Sequence, residues 1–68
     1  MTLGEKIKSL RNELQLSQRE LAKELSVFYT VISKWELNQV MPNIFQIVDI
    51  CKFFKISLDE FMEDVKRK

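Results

Sequence analysis

Histidine is absent from this 68-residue sequence, and cysteine, glycine and proline occur once each, as Cys51, Gly4 and Pro42. Without histidine, general acid–base chemistry would fall to carboxylates or lysines, and no constellation of them stands ready for it. The lone cysteine rules out an intramolecular disulfide and any zinc site built on cysteine pairs, and fits a reduced, cytoplasmic setting. One glycine and one proline leave little for β-hairpins or long loops, and favour helices joined by short turns. No apolar run approaches the ~20 residues that a bilayer crossing needs. Met1 to Lys8 also lacks the apolar stretch of a signal peptide.

A surplus of charge of one sign is missing too. Eleven Lys and Arg face ten Asp and Glu, a formal net charge of +1, divided as +2 over residues 1–34 and −1 over 35–68. What the chain does have is a globular composition, 46% hydrophobic and 31% charged, enough for one domain over residues 1–68. A chain this short buries only about 60% of its unfolded surface, and has no room for a nucleotide-binding sheet or a substrate domain. The expectation is a non-enzymatic module with no cofactor, no membrane association and no small-molecule ligand.

Helix start signals recur along the chain. Thr2 with Glu5, Ser17 with Glu20, Asn43 with Gln46 and Ser57 with Glu60 each pair an oxygen-bearing cap with Glu or Gln three residues on. Apolar residues at helical spacing follow each one. Leu3, Ile7, Leu10 and Leu14 face inward from a first helix, about 2–14. Leu21, Ala22 and Leu25 mark a second, about 17–25, and Val31, Ile32 and Trp35 a third, about 29–37. A fourth, about 43–54, carries Ile44, Ile47, Val48, Ile50, Cys51 and Phe54 over a wide arc. The fifth, about 57–66, carries Leu58, Phe61, Met62 and Val65. This is an all-α fold of five helices.

The third helix lacks a cap, because Phe28 stands where a hydrogen-bonding side chain is wanted. Local rules tend to fail at functional sites. The segment from Leu16 to Glu36 suits a helix-turn-helix: a short helix, a turn at Ser26 and Val27, then a second helix crossing at Ala22. With Val31, Ile32 and Trp35 turned inward, Tyr29, Thr30, Ser33 and Lys34 share the outward side. That set holds hydroxyls, an ammonium and an aromatic ring but no carboxylate, a mixture suited to a DNA major groove.

The sequence resembles the Xre/Cro family of bacterial and phage repressors, whose helix-turn-helix domain has the lambda-repressor-like fold. The resemblance runs from Leu3 to about Met62. It is carried by Leu3, Gly4, Ile7, Leu10 and Arg11, by Leu16 to Ala22 (L-S-Q-R-E-L-A), by Ile32 to Glu36 (I-S-K-W-E), by Pro42, and by Ser57 to Phe61 (S-L-D-E-F). It implies that the third helix is the recognition helix, that Gln18 touches a phosphate, and that Arg11 pairs structurally with a carboxylate such as Glu36. Three positions depart from the family pattern: Ser26 at the turn glycine, Phe28 at the Ser/Thr cap, and Asn38 at the glycine ending the third helix.

Residue by residue, Tyr29, Thr30 and Ser33 are the candidates for base contact, with ordinary surface positions as the alternative. Gln18, Lys34, Asn38 and Gln39 are the candidates for phosphate contact, Gln18 because the start of a helix favours an anion. Phe28 is expected to pack in the core or at its rim. Trp35 and Cys51 read as core, and Asp59, Glu60, Glu63 and Asp64 as a solvated face. Met41, Phe45, Phe53 and Val65 are candidates for a homodimer interface that sets two recognition helices one DNA turn apart, about 34 Å. The leading reading is a sequence-specific regulator of transcription that binds double-stranded DNA, a small dimeric repressor on a palindromic operator. The competing one is a protein-interaction module, an antitoxin or adaptor, on the same fold.

Overall fold

The structure is a computed structural model and describes residues 1–66. Reciprocal caps open three of its helices. Thr2 Oγ1 accepts from the Glu5 N–H (3.1 Å) while Glu5 Oε1 accepts from the Thr2 N–H (2.8 Å). Ser17 with Glu20 and Asn43 with Gln46 repeat the exchange at 2.7 to 3.0 Å. Ser57 Oγ accepts from the Glu60 N–H at 3.0 Å. Between these caps and the chain's turns run α1 (Leu3–Glu13), α2 (Gln18–Leu25), α3 (Tyr29–Glu36), α4 (Ile44–Phe54) and α5 (Leu58–Lys66). The Thr2 N–H also holds the Glu5 carboxyl below its ordinary value. The cap therefore contributes fully at neutral pH and is lost as pH falls through that lowered value.

The turns have a shared feature. Gln15, Ser26, Asn38 and Lys55 all lie in the left-handed region, with φ between 56° and 60°, and none is glycine. The single glycine serves another purpose. An added Cβ on Gly4 would clash with Trp35 O and meet Glu36 O at 2.7 Å and Asn38 Oδ1 at 2.9 Å, so α1 lies directly against the end of α3.

Each helix contributes to one core. Leu3, Ile7 and Leu10 come from α1, Leu21 and Ala22 from α2, Ile32 and Trp35 from α3, Ile50 and Cys51 from α4, and Phe61 from α5. α3 packs on both α1 and α2, while α5 closes against α1 and α4. Among the described residues there is no strand. The main-chain path is thus an all-α, five-helix fold with a helix-turn-helix at α2 and α3.

Several apolar residues sit elsewhere than their spacing suggests. Leu14 is exposed, because α1 stops at Glu13 and Leu16, beyond the turn, packs on the core instead. Ile44 and Leu58 are exposed in the first turns of α4 and α5. Phe28, expected in the core or at its rim, is 82% exposed. Phe53 and Val65 are half-buried and pack on the core, Phe53 edge-on to Phe54 at 5.0 Å.

Candidate nucleic-acid interface

The pose of α3 is set by polar groups beneath it. Arg11 Nε donates to Glu36 Oε2 at 2.6 Å and Nη2 to Oε1 at 3.0 Å, a bidentate pair, while Nη1 donates to the Leu16 carbonyl at 2.8 Å. The two side chains are only 12% and 4% exposed. Glu36 holds the Arg11 guanidinium protonated above its ordinary value. Gln18 Nε2 also donates to Glu36 Oε1, at 3.0 Å. One carboxylate at the end of α3 therefore ties α1 to the start of α2, and Arg11 extends the tie to the turn between them.

A second tie lies beside it. Asn38 Oδ1 accepts from the Gly4 N–H at 3.0 Å and its Nδ2 donates to Thr2 Oγ1 at 3.1 Å. The left-handed backbone of Asn38 turns its amide back onto the start of α1, which seats α3. Asn38 is exposed and keeps its second amide N–H beyond these bonds. Burial raises the Cys51 thiol above its ordinary value, which leaves it a small hydrophobe rather than a reactive group.

The outer side of α3 is free of such ties. Tyr29, Thr30 and Lys34 are exposed and Ser33 half-buried. The hydroxyls of Thr30 and Ser33 and the ammonium of Lys34 make no hydrogen bond or ion pair among the described residues, and neither does the exposed amide of Gln39. Gln18 is half-buried and spends one N–H on Glu36, keeping its second N–H and its amide oxygen.

One residue of this surface escapes the sequence reading. The Arg19 guanidinium carbon sits 3.9 Å from the centre of the Tyr29 ring, joining α2 to α3 across the turn. Ten residues separate the two in sequence, with no periodicity linking them. A usable signal does exist, because a cation in the first turn of a helix opposes the helix dipole.

A helix-turn-helix family model matches residues 7–61. The chain belongs to the helix-turn-helix family. Within it the pattern is that of the Xre/Cro regulators. The HTH-type transcriptional activator BcrR of Enterococcus faecalis is 40% identical over 62 residues, 91% of this chain and 30% of the relative. An uncharacterized transcriptional regulator in the ATPase CF(0) region of Rhodospirillum rubrum is 28% identical over 65 residues, 96% of this chain and 60% of the relative. The chain thus spans less than two thirds of either relative. Among solved structures, the P22 c2 repressor in complex with synthetic operator 9T is 30% identical with a TM-score of 0.82, covering 90% of this chain and 92% of that one. The solution structure of the P22 c2 repressor DNA-binding domain gives 28% identity and a TM-score of 0.86, over 100% of this chain and 91% of that one. The helix-turn-helix domain here is therefore similar to those of transcription regulators.

Phe28 is the departure from the family pattern with the clearest consequence. It caps α3 with no side-chain hydrogen bond. Phe28→Ser supplies the missing acceptor and removes an exposed ring, so the domain should gain about 1 kcal/mol and melt roughly 5 °C higher. Thermal melting followed by circular dichroism measures this. A lower melting temperature would show that the ring makes a stabilising contact in solution.

Proposed function

We propose that this domain binds a specific double-stranded DNA sequence with α3 in the major groove, and that it represses transcription by occupying an operator in the cytoplasm. The observation that carries this reading is the split character of α3. Ile32 and Trp35 are buried in the core, while Tyr29, Thr30, Ser33 and Lys34 turn outward with no carboxylate among them. Base edges in the major groove offer acceptors, donors and thymine methyls to such a set. Tyr29, Thr30 and Ser33 read bases in this scheme. Lys34, Gln39 and the remaining N–H of Gln18 meet phosphates, which position the helix rather than select sequence. The P22 c2 repressor bound to its synthetic operator supports the same use of the fold.

A near-neutral chain has little long-range attraction for DNA, which favours two domains acting together. Leu37, Val40, Met41, Ile44 and Phe45 are all exposed, Phe45 by 78%. Met41 and Phe45, joined by these neighbours and flanked by the half-buried Phe53 and Val65, form the surface by which two copies pair. Selection from random duplex DNA at about 50 and 200 mM salt tests both halves of the proposal. A palindromic consensus whose binding weakens steeply with salt is expected. The variant with Tyr29, Thr30 and Lys34 all changed to Ala should fold normally and lose that binding by at least about a hundredfold. No enrichment of any sequence would overturn the reading in favour of a protein-interaction module, and a single half-site would overturn the dimer.

A further inference from the structure

We infer that Arg19 is a specificity-determining residue that reads a guanine with its guanidinium fork, held in the reading position by the Tyr29 ring; this rests on the DNA-binding role proposed above. Arg19 occupies the second position of α2, where the helix dipole disfavours a cation. It makes no ion pair among the described residues. The adjacent Glu20 is committed to the Ser17 N–H at 2.7 Å. No carboxylate within the fold accounts for the cation here. Among the described residues its one ring, ion-pair or side-chain hydrogen-bond partner is the Tyr29 ring at 3.9 Å.

The guanidinium carbon lies over the ring, and the guanidinium N–H groups have no acceptor among the described residues, so the donor fork stays available. Two acceptors match a fork of parallel N–H donors at a DNA surface: a phosphate, or the O6 and N7 of guanine. The position of the ring decides between them. Tyr29 is the first residue of α3, and the N-terminal residues of a recognition helix are those that face base edges. A guanidinium lying on that ring is carried toward the groove rather than along the backbone. Stacking also settles the side chain before DNA arrives, which lowers the ordering cost of a bidentate contact. Tyr29 is thus a positioning residue for Arg19 in addition to any contact of its own.

Arg19→Lys is the deciding variant, because it keeps the charge and loses the fork. Duplexes carrying the consensus of the unaltered protein, and the same duplexes with each guanine of the half-site replaced, are titrated with the unaltered protein and with R19A, R19K, Y29F and Y29L. The unaltered protein should prefer guanine at one position per half-site by roughly ten- to a hundredfold. R19A and R19K should both erase that single preference and leave the others. Y29F forgoes any contact made by the phenol hydroxyl yet keeps the guanine preference, since the ring remains, whereas Y29L weakens it. The inference is overturned if R19K retains the preference, if R19A weakens binding equally on every sequence as a phosphate contact would, or if R19A changes nothing. Absence of any consensus for the unaltered protein defeats the DNA-binding proposal as well, while a consensus with no Arg19-dependent guanine defeats this inference alone.

Discussion

Gly4→Ala is expected to destabilise the domain by about 3 kcal/mol, at the upper end of what overpacking a well-filled interior costs. Helix propensity points the other way, since alanine in a helix is better than glycine by about 1 kcal/mol. Packing wins because the new methyl has nowhere to go. Two of the three atoms it meets, Trp35 O and Glu36 O, the latter at 2.7 Å, belong to the backbone of α3, and no rotamer change moves them. To make room, α1 must lift off α3, which also breaks the bond from the Gly4 N–H to Asn38 Oδ1. A domain of this size has only a few kcal/mol of net stability, so a large share of G4A molecules should be unfolded at room temperature. Urea titration of both proteins measures the change. A rise in the midpoint, the result that propensity alone gives, would mean that α1 and α3 sit further apart than described here.

Glu36→Ala should cost as much by a different route. The substitution removes the acceptor for two Arg11 donors and for Gln18 Nε2. The guanidinium keeps only the Leu16 carbonyl, 2.8 Å away, and is left with most of its side chain out of water. Removing one partner of a buried ion pair costs about 3 kcal/mol or more, which lowers the melting temperature by roughly 12 to 24 °C in a domain this small. The cause is separable from simple loss of contact area. Replacing both partners together, as R11M/E36L, leaves no stranded charge and should recover much of the loss. If the double variant melts no higher than E36A, the cost lies in packing and not in the unpaired guanidinium.

The fold was legible in this sequence because its local rules agree with one another. The caps at Thr2, Ser17 and Asn43 form as their spacing requires, and Ile7, Ile32 and Phe61 reach the core that their periodicity implies. The bond between Arg11 and Glu36 was legible only through the family resemblance, since 25 residues separate the partners. Where the reading failed, the chain's path had overruled a local pattern. Leu14 continues the apolar repeat of α1, but the helix ends before it and the turn carries it into solvent. Phe28 lies at an angle close to that of Trp35 on a helical projection, yet it is outside the helix, in extended backbone with φ −74° and ψ 147°. Asn38 looked free because it follows a helix; its left-handed turn brings it onto Gly4. The pairing of Arg19 with Tyr29 depends on how α2 and α3 cross, a quantity that no one-dimensional spacing contains.

The side chains that seat α3 and those that face outward from it are different residues with no shared bonds among those named here, except at Gln18. Arg11, Glu36, Asn38 and Gly4 hold the helix in place, while the side chains of Thr30, Ser33 and Lys34 make no hydrogen bond or ion pair among the described residues. Surface substitutions away from such ties usually change stability by no more than about 0.5 kcal/mol. Over evolutionary time the two sets are therefore free to change at different rates. A duplicated copy of this gene can exchange its outward residues one at a time, passing through intermediates that all still fold.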